Sequence, residues 1–318
     1  MRNSHIDHRI KKHTKKNIFS DYLSQAGRLY NHRSGHGHRR NSTRWRRRVL
    51  KRRLEVMAAI VLAVAGIVSG IVGSHSAATK EAAKVEAVGT AKEAAGTEVK
   101  ETEEARLIRV RKQAKEAGYP AGVIELLDKN PATVDYVEDY GEKKDTAPAE
   151  TVGTVEKGTI PHLLQWDERW GYAPYGTSNV AVSGCGPTCL SMVITGLTGN
   201  AEVTPAKVAA YGTKEQFVDN ANNTYWRFMS EGISHWGITA KELNAVETVV
   251  ARELKKGHPI ICSVGPGDFT EKGHFIVLAA YKDGKVEVRD PFSTENTQKE
   301  WVYDDIKDQI KGMWSYSL

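Results

Sequence analysis

The first 73 residues divide into a polar segment and an apolar one. Residues 1–53 are rich in Arg, Lys, His, Asn and Ser and contain few apolar side chains, so we expect a disordered tail. Residues 54–73 are apolar, and within them the stretch from Val56 to Gly73 carries no charged side chain. Its length is close to the ~20 residues that an apolar helix needs to cross a bilayer. The pattern therefore predicts a transmembrane helix.

Residues 74–157 are polar again and lack a continuous apolar stripe. Ala, Glu and Lys dominate this segment up to about Gly118, and such helix formers predict a partly helical stalk. Two short amphipathic stretches, 121–130 and 131–140, predict helices that dock on the C-terminal part of the chain. A polar linker is expected over 142–157.

The pattern becomes that of a globular domain over residues 158–318. Six of the seven Trp residues lie there, so the apolar sequence needed for a core is concentrated in this part. An apolar run after Gly186 predicts a helix with Pro187 in its first turn. The other predicted elements are helices over 204–211, 224–235 and 241–256, strands at 259–264, 274–281 and 285–290, a helix near 304–311 and a final apolar stretch. Helices followed by antiparallel strands indicate an α+β domain.

The charge of the chain is concentrated before the apolar segment. Residues 1–53 hold 17 Lys and Arg against two Asp and Glu, whereas the whole chain has a net charge of +6. By the positive-inside rule we expect a single-pass membrane protein with a cytoplasmic N-terminus and residues 74–318 exported. A cleavable signal peptide ending near Ser76 is the alternative to an uncleaved anchor, and it exports the same domain. The basic tail fits a topology signal that also contacts anionic lipid, so no nucleic-acid binding is expected.

Three cysteines, Cys185, Cys189 and Cys262, lie in the part expected to be exported, and an odd number leaves at least one thiol unpaired. Cys185 stands between two glycines at the start of the predicted helix. Free N–H groups and the positive end of the helix dipole favour a thiolate there, and the glycines let a substrate backbone approach closely. Cys185 is therefore the candidate nucleophile, whereas Cys189, one turn further on, is expected in the core.

A cysteine nucleophile needs a base, and His274 stands at the beginning of a predicted apolar strand. Asp290 ends the next strand, where its carboxylate can accept the other ring N–H of His274. The sequence Lys282-Asp283-Gly284 predicts a hairpin turn between these strands. A two-residue loop would place His274 and Asp290 on opposite faces of the sheet, so we expect a three-residue loop or an equivalent bulge.

Four local motifs occur in a defined order within residues 158–318. They are Leu164-Gln165-Trp166-Asp167, Gly184-Cys185-Gly186-Pro187-Thr188-Cys189, Gly273-His274-Phe275-Ile276-Val277-Leu278 and Asp290-Pro291. Together they resemble the bacteriocin-processing-like branch of the papain-type cysteine peptidases, often called family thirty-nine. The resemblance implies a papain-like fold and a catalytic set of Cys185, His274 and Asp290. It also implies a Gln whose side-chain amide donates to the oxyanion, and Gln165 is the position that matches, although it lies further before the cysteine than in the leader-processing enzymes.

These observations predict a bacterial cell-surface thiol hydrolase, a cysteine peptidase that cleaves a peptide or protein substrate through an acyl-enzyme at Cys185. We expect no cofactor and no metal, because no group of side chains has the spacing of metal ligands. Two alternatives remain open: a membrane-anchored peptide-binding module in which Cys185 is incidental, and a transferase that passes the acyl group to an amine. We expect Tyr225–Met229 to belong to the core and His258 to be a loop residue without a partner.

Overall fold

The structure is a computed structural model that describes residues 101–318, in which short helices are followed by an antiparallel sheet. The helices are α1 (Glu103–Glu116), α2 (Ala121–Ile124), α3 (Leu126–Lys129), α4 (Val134–Glu138), α5 (Tyr140–Lys143), α6 (Val180–Ser183), α7 (Cys185–Thr198), α8 (Pro205–Lys214), α9 (Trp226–Ser230), α10 (Glu247–Lys255), α11 (Thr294–Gln298) and α12 (Tyr303–Ile306). The strands are β1 (Pro174–Tyr175), β2 (Ser178–Asn179), β3 (Thr239–Glu242), β4 (Ile260–Val264), β5 (His274–Lys282), β6 (Lys285–Arg289), β7 (Trp301–Val302) and β8 (Ile310–Ser317). The 3₁₀ turns are Pro131–Thr133, Gly232–Trp236 and Lys307–Gln309. This arrangement confirms the predicted α+β class.

The main sheet contains six strands in the order β3-β8-β4-β5-β6-β7, and β1 and β2 form a small separate hairpin. Neighbouring strands of the main sheet are antiparallel. Successive residues of β4 and β5 belong to two different apolar clusters, one on each face of the sheet. Both strands therefore read as continuous apolar runs, because neither face meets water.

The central helix is α7, and the residues from Gly186 to Gly196 are all buried. Pro187 lies in its first turn, where its missing N–H leaves no hydrogen bond unmade. The helix ends at Gly199, whose φ of +75° suits glycine and whose N–H donates to the Thr195 carbonyl at 2.8 Å. Because α7 packs against β5 and α8, its first residue is held in a fixed position over the sheet.

The helices α1 to α5 pack on the rest of the described chain, as expected for 121–140. Tyr136 of α4 is 1% exposed and stacks on Tyr172, with ring centroids 4.3 Å apart. Its hydroxyl donates to the Gly171 carbonyl at 3.2 Å, and the Asn130 side-chain amide donates to the Phe292 carbonyl at 2.7 Å. These helices therefore share a core with the segments that flank the candidate site.

The polar stretch predicted as a linker lies along the surface of the domain. The Ala149 N–H donates to the Arg169 carbonyl at 2.7 Å, and the Val152 N–H donates to the Ala201 carbonyl at 2.9 Å. The Val152 side chain is 7% exposed and belongs to the main apolar cluster. Residues 144–157 are thus tied to the domain through backbone hydrogen bonds in spite of their polar composition.

One predicted element differs in kind. Thr239–Glu242 forms β3 where the sequence predicted the start of a helix at 241, and α10 begins only at Glu247. The register of β3 runs from Thr239 opposite Ser317 to Glu242 opposite Trp314. Pairing with β8, far away in sequence, overrides the helical preference of Lys241 and Glu242. The final apolar stretch is β8 itself.

The predicted tail (1–53), the predicted transmembrane helix (54–73) and the first part of the stalk lie outside the described residues. Among the helices of residues 101–318, none combines the length and the apolar character that a membrane crossing requires.

Candidate active site

The hairpin of β5 and β6 determines whether His274 and Asp290 can meet. Its loop has two residues, Asp283 and Gly284, with φ of +50° and +79°, and Lys282 pairs with Lys285. The preferred three-residue loop is therefore wrong: Asp-Gly satisfies the positive φ that both positions of a tight hairpin turn require.

A bulge further along β5 supplies the shift that the loop does not. Ala280 pairs with Glu287, but Leu278 pairs with Val288, so Ala279 is an extra residue on β5. Continued in this register, Asp290 falls opposite Ile276. The bulge predicted as the equivalent of a three-residue loop is thus present, but it lies at Ala279 in β5 and not in the turn.

With this register, the His274 ring and the Asp290 carboxylate are in contact. His274 Nε2 lies 2.8 Å from Asp290 Oδ1, and the two side chains are 9% and 1% exposed. Burial alone would lower the pKa of His274, but the charge and hydrogen bond of Asp290 outweigh it and, with a hydrogen bond to Cys185, raise the pKa to about 10. Burial pushes the pKa of Asp290 up, yet the charge of His274 and three hydrogen bonds hold it below its usual value. The two groups therefore form a buried ion pair.

Asp290 is itself fixed by neighbours that the sequence did not single out. Oδ1 also accepts from the Phe292 N–H at 2.8 Å, and Oδ2 accepts from the Asn296 side-chain amide at 2.7 Å. The Asp290 N–H donates to Thr297 Oγ1 at 2.9 Å, and His162 Nε2 lies 2.8 Å from the Asp290 carbonyl. The N-cap signal of Ser293 indicates a helix after Asp290, but nothing local shows that Asn296 on its first turn faces back to the carboxylate.

Cys185 is the first residue of α7 and is the one cysteine of the described range that is not fully buried. The Cys185 thiol is among the groups that raise the pKa of His274, and Nε2 of that ring is engaged with Asp290, so Nδ1 is the ring nitrogen left for the sulfur. Cys189 and Cys262 are 0% exposed, and burial raises the pKa of both thiols. All three cysteines, each within the described range, are free thiols. The structure thus separates one accessible thiol from two inert ones, as predicted for Cys189.

Gln165 lies between the segment after Asp290 and the short helix that precedes Cys185. Its backbone N–H donates to the Pro291 carbonyl at 2.7 Å, and its side-chain Nε2 donates to the Ala181 carbonyl, also at 2.7 Å. The side chain is 3% exposed, and Oε1 is buried without a hydrogen-bond partner among the described residues. A direct contact of Gln165 with the oxyanion stays a prediction.

Two structural expectations need correction. His258 has a partner: its Nδ1 lies 3.0 Å from Oε2 of Glu253, which is 3% exposed and whose pKa is lowered to about 2, chiefly by this hydrogen bond. Adjacent turns of a helix end and loop bring them together, a contact that strand and helix patterns do not reveal. Phe228 and Met229 belong to the core as expected, but Trp226 is 46% exposed.

The arrangement provides the parts of nucleophilic acyl transfer: an accessible thiol, an imidazole whose pKa responds to that thiol, and a carboxylate hydrogen-bonded to the imidazole. Within residues 101–318 no three His, Cys, Asp or Glu side chains are grouped so that they could hold a metal ion.

One protein family and several solved structures are similar to this chain. In structure it is similar to a protein from Bacillus anthracis described as a putative C39-like peptidase, with 16% sequence identity, a TM-score of 0.34, and 51% of this chain and 96% of that chain covered. It is also similar to the peptidase domain of Streptococcus ComA, a bi-functional ABC transporter involved in a quorum sensing pathway, with 15% identity, a TM-score of 0.33, and coverage of 42% and 89%. No curated protein matches the sequence. The model of the Peptidase C39 like family matches residues 157–317, just over half of the chain. The chain therefore belongs to the Peptidase C39 like family.

Proposed function

We propose that this chain is a catalytically active cysteine peptidase in which Cys185 is the nucleophile, His274 the acid and base, and Asp290 the orienting carboxylate. The 2.8 Å contact between His274 Nε2 and Asp290 Oδ1, with the Cys185 thiol on the same ring, is the observation that carries this proposal. A pKa of about 10 keeps His274 protonated at neutral pH. An imidazolium beside a cysteine favours the thiolate, which is the attacking form.

The reaction begins when the Cys185 sulfur adds to the carbonyl carbon of the scissile amide. The carbonyl oxygen becomes an oxyanion beside the start of α7, where the Cys185 N–H is a donor. His274 gives its Nδ1 proton to the leaving amine, and the C–N bond breaks to leave a thioester on Cys185. A water molecule then attacks the thioester while His274 takes its proton, and the acid product leaves with the thiolate restored.

Thiol labelling tests catalytic competence before any substrate is known. We expect iodoacetamide to modify Cys185 rapidly at pH 6–7, and a library of peptidyl electrophiles to label the same residue and reveal the side chains it prefers. Cys185→Ala should abolish the labelling. Cys189→Ala is the matched control, because it removes a thiol one turn away in the same helix and should leave labelling intact. Labelling of wild-type protein at the rate of an ordinary thiol would instead favour the non-catalytic peptide-binding module.

We also propose that the peptidase domain is displayed outside the cell by a single transmembrane helix over residues 54–73. The uncharged run and its one-sided basic flank support this proposal. External protease on intact cells should remove the domain and leave a small basic fragment in the membrane. Release of the intact domain into the medium would indicate a cleaved signal peptide, and protection of the domain in cells would contradict the topology.

A further inference from the structure

The helix that carries Cys185 is interrupted one residue before it. In α6 the Gly184 N–H donates to the Val180 carbonyl at 2.7 Å, and in α7 the Thr188 N–H donates to the Gly184 carbonyl at 3.0 Å. Gly184 itself is not helical, with φ of −87° and ψ of +21°. A side chain there would meet backbone, since a Cβ would lie 2.5 Å from the Val180 oxygen. The interruption therefore depends on glycine.

The interruption separates a donor from the acceptor it would have in a continuous helix. In a continuous helix, the Cys185 N–H would donate to the carbonyl of Ala181, four residues earlier. Here the Cys185 N–H has no hydrogen-bond partner within the described part of the chain. The Cys185 N–H is therefore left without an acceptor among residues 101–318 and can donate to an oxyanion that forms next to the thiol.

The Ala181 carbonyl that this N–H leaves behind is bound by Gln165. Ala181 is 0% exposed, so its carbonyl cannot turn to water, and Gln165 Nε2 donates to it at 2.7 Å. A buried carbonyl without a donor is costly, and the nearest alternative donor in the helix is the Cys185 N–H. By donating to this carbonyl, Gln165 allows α6 and α7 to remain two separate helices.

The position of Gln165 is set by the other half of the site. Its N–H donates to the Pro291 carbonyl, next to Asp290, and the neighbouring Trp166 indole donates to the Phe292 carbonyl at 3.0 Å. Because Gln165 Oε1 has no partner in residues 101–318, the bond to Ala181 is the one hydrogen bond that orients the amide. The segment that carries Asp290 therefore also fixes, through Gln165, the position of the residues just before α7.

We infer that Gln165 is a positioning residue that binds the Ala181 carbonyl and so keeps the Cys185 N–H free to act as the oxyanion donor. The oxyanion itself belongs to the proposed peptidase reaction. The choice of donor to the Ala181 carbonyl, Gln165 or the Cys185 N–H, does not depend on that reaction. It can be measured without a substrate.

The test is hydrogen exchange at the cysteine amides of the full chain in detergent. Labelling with ¹⁵N-cysteine gives three backbone signals, which single Cys→Ser variants assign to Cys185, Cys189 and Cys262. In wild-type protein the Cys185 amide should exchange at least about tenfold faster than the Cys189 amide inside the helix. In Gln165→Met, which fills the same space without a donor, the Cys185 amide should gain the Ala181 carbonyl and slow by about five- to tenfold, as for one ordinary hydrogen bond.

Asn130→Ala is the matched control, since it removes an amide-to-carbonyl bond of the same 2.7 Å length at Phe292 without touching Ala181. It should leave Cys185 exchange unchanged. A protected Cys185 amide in wild-type protein would overturn the inference even if Gln165→Met did not fold. So would unchanged Cys185 exchange in a folded Gln165→Met that turns over peptides more slowly, because that result assigns Gln165 a direct contact with the oxyanion. Absence of turnover in wild-type protein would count against the peptidase proposal alone.

Discussion

Replacing Asp290 by Asn removes one charge from the centre of the site and leaves the shape of the side chain. Asp290 accepts three side-chain or backbone hydrogen bonds, from His274, Phe292 and Asn296. An amide has one acceptor oxygen and one donor nitrogen, so it can satisfy His274 and Phe292 through Oδ1 but then turns its NH₂ toward the Asn296 amide. Asn296 must flip or lose its partner. The cost of that mismatch is ~1–3 kcal/mol.

The larger effect is on the protonation of His274. Its pKa of about 10, compared with 6.5 for an ordinary imidazole, corresponds to ~5 kcal/mol in favour of the charged form. In Asp290→Asn, burial still disfavours the protonated form of His274, but the negative charge that stabilised this form is gone. The pKa of His274 should therefore fall below 6.5. The loss of free energy of unfolding should be greatest between about pH 4 and 6.5. It should shrink as pH rises toward 10, since the stabilisation from a raised pKa disappears as the folded group loses its proton.

The assay is the rate of iodoacetamide modification from pH 5.5 to 9, followed by intact mass, with thermal unfolding at the same pH values. Wild-type modification should vary little with pH. In Asp290→Asn it should fall by at least about tenfold at pH 6.5 and rise with pH, because an ordinary thiol is only about 1% thiolate at that pH. Asn296→Ala, which keeps the charge of Asp290, is the control and should retain the flat profile. A flat, fast profile in Asp290→Asn would refute the ion-pair account of thiol activation.

Three further outcomes are expected from the structure. Cys185→Ala should abolish turnover without unfolding, whereas Cys189→Ala should keep activity and lose ~1 kcal/mol of stability, as measured by urea unfolding and peptide hydrolysis. Asn296→Ala should lower kcat by about tenfold at unchanged KM, since it loosens the carboxylate that orients the base. Tyr136→Ala should cost ~3–5 kcal/mol in urea unfolding, because it empties a buried site shared with the peptidase core.

Each of these predictions has an outcome that would contradict it. Equal loss of activity in Cys189→Ala and Cys185→Ala would reopen the choice of nucleophile. An unchanged kcat in Asn296→Ala would show that the carboxylate is held without this amide. An unchanged urea midpoint in Tyr136→Ala would show that α1 to α5 are not part of the folded unit.

The structural features that the sequence predicted correctly are those determined by residues close together in the chain. Gly184 and Pro187 around Cys185 predict a helix start, and the helix does begin at Cys185. Thr204 caps α8 by accepting from the Lys207 N–H, as Thr-Pro predicts. Asp283-Gly284 predicts the hairpin. Each of these signals acts within about four residues, which is the range over which capping and turn chemistry operate.

The features that the sequence did not supply depend on contacts between distant segments. Ala279 lies in the uniformly apolar run of β5, where no polar or glycine residue marks a bulge, so its position depends on packing on both faces. The bond from Gln165 to Ala181 joins residues 16 positions apart, and the resemblance to related peptidases pointed to the residue but to a different contact. Asn296 and Glu253 lie only six and five residues from their partners Asp290 and His258, but no local signal shows which way their side chains turn.

The position of β8 inside the sheet has a consequence for how the protein matures. β8 lies between β3 and β4, although it comes after every other described strand in sequence. During synthesis, Cys185, His274 and Asp290 leave the ribosome before residues 310–317, at a time when β4 still has an open edge. The sheet that carries His274 is complete only when β8 has inserted between β3 and β4. Chains interrupted before residue 310 should therefore expose that edge and be degraded or aggregate, and the candidate site should be fully supported only after β8 has paired.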